Sequence, residues 1–397
     1  MLFRRVSSSL RATSLRHRAA FSSIAAAQPS PSGVTLTVPD ITGEVRNDWT
    51  YEQVKAIYDQ PLLELVYKAA TVHRMHFDPR EVQQCTLLSI KTGGCTEDCK
   101  YCSQSVRHKT FVKPEPTKKV QEVVEMARRA KAAGSTRFCM GSAWREVGKK
   151  NAFKHILTMV REIRAMDLEV CCTLGMLTEE QAVQLKEAGL SAYNHNLDTS
   201  REHYAKIITT RTYDDRLKTI DNVRKAGISV CCGGILGVGE KEHDRVALLH
   251  TLATMEEHPE SVPVNALVSV QGTPLGEEEL PPVTAFDMAR AIATARILMP
   301  KTMVRLSAGR MSFSEAEQGL LFMAGANSIF NGDKLLTTAN PAFDEDKQMF
   351  DRMGLLGKPA HQPHRQTPYI VQVTHSEPAR HAAPHADDSE RLQAAVA

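Results

Sequence analysis

The chain lacks any run of about eighteen predominantly apolar residues, so no membrane-spanning helix is expected. It also lacks a strong charge of either sign. A formal net charge of +3 over 397 residues is too small to argue for a nucleic-acid surface. Nine cysteines are far too few for a disulfide scaffold. A complete G-x-G-x-x-G fingerprint is missing as well. The nearest match, Gly237-Val238-Gly239, has Glu242 where the third glycine belongs, which argues against a dinucleotide-binding open sheet. What remains is ordinary globular material, 42% hydrophobic and 24% charged, which excludes a wholly disordered chain.

Acidic residues are absent from the N-terminus; the first is Asp40. Before it come Arg4, Arg5, Arg11, Arg16 and Arg18, with Ser7, Ser8, Ser9, Ser14, Ser22 and Ser23 among Leu, Val, Phe and Ala. An Arg-rich, Ser-rich, acid-free segment without a secretory apolar core reads as an organellar transit peptide, and 1–40 is assigned to it and a linker. At the other end, 357–397 holds His361, His364, His375, His381 and His385 among Pro, Gln and Ala. Their irregular spacing favours a solvated, disordered tail over a metal site. Residues 41–356 are left for one catalytic domain.

Within that domain one unit recurs. A helical stretch ends in Ala-Gly and passes at once into a strand-like run, at 131–141, 186–198, 224–234 and 323–332. Gly134, Gly189, Gly227 and Gly325 stand where a helix C-terminus favours positive φ. Strands are expected near 85–90, 136–141, 169–174, 192–197, 229–235, 263–269, 303–308 and 327–331. Helices are expected near 118–132, 152–166, 178–188, 213–226, 241–257, 284–298 and 314–324. Eight strands alternating with helices predict an α/β fold, a (β/α)8 TIM-type barrel.

Strand parity then sorts the side chains, since neighbours point to opposite faces. Phe138 and Met140 oppose Arg137 and Cys139. Val170, Cys172 and Leu174 oppose Glu169, Cys171 and Thr173. Val230 and Cys232 oppose Ser229 and Cys231. Val264, Ala266 and Val268 oppose Asn265, and Val304 and Leu306 oppose Arg305. Asn194, Asn196 and Asp198 share a face. The apolar parity must meet the helices, so the polar parity lines the lumen. Cys139, Cys171, Cys231, Arg305, Asn194, Asn196, Asp198 and Asn265 should therefore converge. Cys172 and Cys232 should point out and pack as small hydrophobes.

Just after the first strand comes Cys95-Thr96-Glu97-Asp98-Cys99-Lys100-Tyr101-Cys102, at the end of the barrel where active sites lie. A structural zinc site needs four ligands, usually in paired knuckles, and this local set stops at three. Three thiolates on a four-iron cluster would leave one iron open to a non-protein ligand. Zinc with a distant fourth ligand, or plain core thiols, are the alternatives.

The C-x3-C-x2-C spacing resembles the radical S-adenosylmethionine superfamily. The stretches 93–105, 133–145, 173–177, 193–200, 208–216, 233–240, 261–268, 304–310 and 322–338 are similar to the biotin synthase family within it, over roughly 50–350. The resemblance implies a [4Fe-4S] cluster on Cys95, Cys99 and Cys102, with S-adenosylmethionine on its open iron as the source of a 5′-deoxyadenosyl radical. It implies a second, [2Fe-2S] cluster on Cys139, Cys171, Cys231 and Arg305. By the same resemblance Tyr101 lies near the adenine and Asn196 and Asp198 near the ribose. Asn194, Asn196 and Asn265 would hold the ureido ring of dethiobiotin, the substrate. The implied reaction abstracts hydrogen from a methyl and then a methylene carbon and inserts sulfur from the second cluster, giving biotin. Gly233, Ile235, Gly237 and Glu240 match a superfamily motif beside the nucleoside, although a plain strand-to-helix turn fits equally. Implied partners are a ferredoxin- or flavodoxin-type electron donor, iron–sulfur assembly machinery and a second copy of the chain. No nucleic acid and no membrane are implied, and the compartment would be the mitochondrial matrix.

One implied ligand is chemically odd. A guanidinium carries donors only and stays protonated. Arg305, pointing into a buried lumen, needs an anionic partner, either cluster sulfide or a buried carboxylate. The doubled pairs Cys171–Cys172 and Cys231–Cys232 also leave ligand register dependent on the absence of a bulge.

Overall fold

A computed structural model of the chain describes residues 39–148 and 150–361. The basic N-terminal segment and the tail histidines after His361 lie outside the described residues. Nine strands form the barrel wall: β1 (Glu81–Lys91), β2 (Arg137–Ser142), β3 (Glu169–Thr173), β4 (Ala192–Asn194), β5 (Ser229–Cys231), β6 (Gly234–Leu236), β7 (Ser261–Ala266), β8 (Met303–Leu306) and β9 (Ser328–Asn331). Every pairing is parallel, and β9 returns to β1, Gln83 opposite Ser328, so the sheet closes. Both β5 and β6 pair with β7 and occupy one barrel position, interrupted at Cys232-Gly233. That makes eight positions, the (β/α)8 barrel expected. A short β10 (Leu356–Gly357) adds to β1 opposite Glu81 and Val82.

The helices between strands fall where the apolar period of 3.6 placed them, from Val120–Ala132 to Glu315–Met323. They stop for the reason expected. Gly134, Gly189, Gly227 and Gly325 take positive φ, closing each helix and releasing the chain into the next strand. Four helices were not anticipated: Tyr51–Tyr58 and Leu62–His76 before β1, Arg201–Ile207, and Phe343–Met353. Leu62–His76 packs on Ala285–Leu298, which buries most of its residues. Covered on most sides, that helix buries eleven of its fourteen residues, Arg296 among them.

Two buried clusters divide along the parity of the strands. The outer cluster contains Phe138, Met140, Val170, Cys172, Val230, Cys232, Val264, Val304 and Leu306, packed against the helices. The inner one contains Cys85, Cys139, Cys171, Ala192, Phe330 and Leu335. Alternation along each strand therefore separates a structural core from a lumen lined by thiols.

Candidate active site in the barrel lumen

The cysteine loop leaves the C-terminal end of β1 and folds back on itself. Cys95 N–H donates to Gln104 O at 3.0 Å, Val106 N–H to Cys95 O at 2.8 Å, and Cys102 N–H to Cys99 O at 2.9 Å. The acidic residues between the thiols clamp it to the segment before Tyr213–Lys225. Asp98 accepts from Thr209 N–H at 2.9 Å and from the Thr210 hydroxyl at 2.9 Å. Burial opposes its charge, but these hydrogen bonds hold its carboxyl down at about 2. Glu97, buried, accepts from Arg145 Nη1 at 2.8 Å and from the Thr210 hydroxyl at 2.6 Å. Cys95, Cys99 and Cys102 thus face one cavity, with His195, Arg211, Asn196 and Asp198 on its other walls.

A second, deeper cavity is lined by Cys139, Cys171, Arg305, Asn194, Asn265 and Phe330. Tyr101, Cys102, Asn194, Asn196 and Asp198 line both, so the two chambers meet at these residues. Tyr101 donates to Asp198 Oδ2 at 2.8 Å, and the same oxygen lies 2.6 Å from Arg216 Nη2 in a buried ion pair. Asp198 reaches this point with a φ of +69°, a left-handed conformation that an Asp side chain tolerates better than most.

The polar lining is interlocked. Asn194 Nδ2 donates to Asn196 Oδ1 and to Cys231 Sγ, both at 3.2 Å. Asn196 Oδ1 accepts from Gly233 N–H at 3.1 Å. Asn265 donates to Gly234 O at 2.9 Å and accepts from Ala308 N–H at 3.1 Å. A carboxamide has two donor hydrogens and two acceptor lone pairs, so one of each at Asn265 stays open toward the lumen.

Arg305 is fully buried. Its Nε donates to Ser328 Oγ at 2.9 Å, its Nη2 approaches Cys85 Sγ at 3.3 Å and Gln83 Oε1 at 3.4 Å, and its Nη1 approaches Cys231 Sγ at 3.8 Å. The group stacks 4.7 Å from the Phe330 ring centroid. Of the two partners sequence left open, the carboxylate is not used: none of the ion pairs among the described residues involves Arg305. Glu169, the nearby lumen acid, is taken by Arg137 at 2.6 Å. Buried Arg296 is the contrast. It also lacks a carboxylate, but four hydrogen bonds to backbone carbonyls and one to Asn327 Oδ1 satisfy it. Thiols are far weaker acceptors than carbonyls.

Cys85, Cys99, Cys102 and Cys139 are held toward the protonated form. Burial pushes Cys99 up to about 12 and Cys102 to about 11. Cys139 is raised by its hydrogen bond with Cys171, then by burial, and Cys85 by burial and then Cys139. Burial works against the charge on Arg305, yet the thiols of Cys85, Cys231 and Cys139 keep it above its ordinary value. Such thiols ligate metal only by losing their protons to the surroundings as the thiolates bind. Among the described residues no three His, Cys, Asp or Glu side chains converge tightly enough for a single ion. Thiols spread around a chamber suit a polynuclear cluster better than one zinc ion.

Parity thus put Cys139, Cys171, Cys231, Arg305, Asn194, Asn196, Asp198 and Asn265 together in the lumen, and the structure does so by partly different means. The strand expected over 192–197 ends at Asn194, and a turn carries Asn196 and Asp198 inward. The strand expected over 263–269 ends at Ala266, so Val268, assigned to the outer face, lines the deep cavity instead. Sequence reasoning missed Cys85, His195, Arg211 and Arg216. For Cys85 a signal existed: it shares inward parity with Leu87, which lines the cavity. His195 and Arg211 carried no local signal; both are buried, and His195 Nε2 and Arg211 Nε have no hydrogen-bond partner.

Comparison with known proteins agrees with this geometry. The radical SAM superfamily matches residues 89–252, and the Biotin and Thiamin Synthesis associated domain matches 263–356. Biotin synthase of Schizosaccharomyces pombe is 61% identical over 314 residues, covering 79% of this chain and 86% of that protein. Biotin synthase of Cytophaga hutchinsonii is 63% identical over 312 residues, covering 79% and 92%. Mitochondrial biotin synthase of Arabidopsis thaliana is 60% identical over 315 residues, covering 79% and 83%. The fold also resembles crystal structures of methylornithine synthase (TM-score 0.65, 18% identity, 79% of this chain and 94% of that one) and of the hydrogenase maturase HydG from Carboxydothermus hydrogenoformans (0.66, 15%, 79% and 76%). With a closed parallel barrel, a three-thiol loop at its mouth and this level of identity over most of its length, the chain belongs to the biotin synthase family of radical S-adenosylmethionine enzymes.

Proposed function

We propose that the chain converts dethiobiotin to biotin with a [4Fe-4S] cluster on Cys95, Cys99 and Cys102, S-adenosylmethionine beside it, and a [2Fe-2S] cluster on Cys139, Cys171, Cys231 and Arg305 as sulfur donor. The observation that carries the second site is Arg305. A buried guanidinium whose neighbours are thiols has no counter-charge in the bare protein. Leaving such a charge uncompensated costs about 3–5 kcal/mol. Thiolates and sulfides would supply what is missing, so the residues fit an anionic cluster. When bound, the clusters and S-adenosylmethionine supply a carbon-centred radical and the sulfur atom.

The chain's own residues do the positioning. Cys95, Cys99 and Cys102, from one clamped loop, would hold the four-iron cluster, and three ligands would leave it open to S-adenosylmethionine. Tyr101, Asn196 and Asp198 stand at the junction of the two chambers, suited to the adenine and ribose; a carboxylate accepts from both hydroxyls of a diol. Asn194, Asn196 and Asn265 face the deep chamber; Asn196 keeps its amide hydrogens and Asn265 one hydrogen and one lone pair, suited to a cyclic urea. A closed barrel keeps water from a reactive carbon and holds it near the sulfur.

Residues 41–356 are the catalytic domain in this reading and 1–40 a segment addressing the chain to the mitochondrial matrix; of the expected tail 357–397, Gly357 still pairs with Val82 of β1 and belongs to the barrel. The mitochondrial relatives of Arabidopsis thaliana and Emericella nidulans support the address. A ferredoxin- or flavodoxin-type reductant, an iron–sulfur assembly system and a homodimer complete the proposal. The test is anaerobic turnover with dethiobiotin, S-adenosylmethionine and a reductant. Biotin and 5′-deoxyadenosine should form together, and Asn265→Ala should raise the KM for dethiobiotin about tenfold, the loss of one to two hydrogen bonds. Deoxyadenosine without biotin, or an unchanged KM in Asn265→Ala, would contradict it.

A further inference from the structure

We propose that Cys85 is a fourth thiol donor of the two-iron site, able to take the place on iron that Arg305 otherwise holds. This rests on the reading that Cys139, Cys171 and Cys231 carry a two-iron cluster. Cys85 lies on β1, fully buried on the inner face, and groups with Cys139 and Cys171 rather than with the outer core. Cys139 on β2 and Cys171 on β3 stand opposite each other in register, and Cys85 clusters with both. Across the lumen, Cys85 and Cys231 flank one planar group: Arg305 Nη2 is 3.3 Å from Cys85 Sγ, and Nη1 is 3.8 Å from Cys231 Sγ. Cys139 and Cys171 therefore line the chamber together with Arg305, and Cys85 and Cys231 flank that guanidinium. An iron within reach of the guanidinium's end is within reach of the thiol beside it.

Chemistry favours the thiol as a competing ligand. A guanidinium offers five donors and no acceptor, so bonding iron requires it to give up a proton. A thiolate is the soft donor that iron–sulfur clusters ordinarily take, and four of them are the usual set for two irons. Cys85 as mere filler would predict no contact with Arg305 and no dependence of the cluster on its sulfur. With Cys85 bound, its proton returns to Arg305, which is released as a guanidinium to donate hydrogen bonds to the cluster; the ligand set gains one negative charge and the freed cation offsets it.

The experiment compares wild type, Cys85→Ser, Arg305→Ala and the double variant Arg305→Ala/Cys85→Ser. Each is reconstituted without air, and two-iron content is read by Mössbauer spectroscopy and ligand type by resonance Raman. Wild type and both single variants should hold about one two-iron cluster per chain, with Arg305→Ala showing an all-thiolate pattern. The double variant should lose at least four-fifths of it while keeping the four-iron signal, which reports an intact fold. Loss of the two-iron species in Arg305→Ala alone, or its retention in the double variant, overturns the proposal. Cys139→Ser separates this from the underlying assignment: if it leaves the two-iron species unchanged, or wild type has none, that assignment falls and takes the role of Cys85 with it.

Discussion

Cys231 and Cys232 are one peptide unit apart and face opposite sides of the barrel wall. Cys231 accepts from Asn194 and Arg305, whereas Cys232 packs in the helix-facing core. Cys231→Ser should therefore abolish the two-iron species. Cys232→Ser should leave it intact and cost about 1–3 kcal/mol of stability, the penalty of a hydroxyl without a partner. Iron analysis and thermal unfolding separate the two, and the reverse pattern would mean a register shifted by one. Buried His73 gives a prediction in pH. Burial, and then the cations Arg296, Arg74 and His76, hold it well below the ordinary histidine value, and its Nε2 has no hydrogen-bond partner. The folded state keeps it neutral, while the unfolded chain protonates below about 6.5. Its contribution is fully present above that value and is lost as pH falls, by up to about 1.4 kcal/mol per pH unit. Unfolding of the apoprotein at pH 7.5, 6.5 and 5.5 should show this loss, with a shallower decline in His73→Leu. At this scale alternation was enough to read the lumen thiols and Arg305 from sequence. His195, Arg211 and Arg216 were illegible because tertiary folding, not local pattern, brings them to the site.

The wall is broken between β5 and β6. Asn196 Oδ1 takes the free N–H of Gly233, and Asp198 N–H donates to Gly233 O at 3.1 Å. The bend thus couples the strand to the residues where the chambers meet. A Cβ on Gly233 would stand 2.0 Å from Pro263 O, a backbone atom that cannot step aside. Gly233→Ala should therefore push this position away from β7, costing about 1–3 kcal/mol and weakening S-adenosylmethionine binding. Calorimetric titration and thermal unfolding check it; unchanged values for both would show that the break is incidental. Strands and most helices were legible because the period of the apolar pattern changes abruptly at the Ala-Gly stops. Arg201–Ile207 was not, being too short for two turns of pattern. The ends of β4 and β7 were not either, because the alternating pattern in the sequence runs on past Asn194 and Ala266.

As a whole, the molecule places a three-thiol loop at the mouth of a closed barrel and, beneath it, a buried cation flanked by thiols. The bare protein leaves both sets incomplete: the loop thiols are protonated, and Arg305 has no counter-charge. Fold and family were readable from the sequence because barrel alternation and the C-x3-C-x2-C spacing are local. How the chambers connect was not, because it depends on the turn at Asp198 and on the loop after β7. The central claim is two different clusters in one lumen. It is tested most directly by iron and sulfide content with Mössbauer spectra after anaerobic reconstitution. About six irons per chain, divided between a four-iron and a two-iron species, is the predicted result. Four irons alone would contradict it, leaving the radical chemistry without an internal sulfur donor.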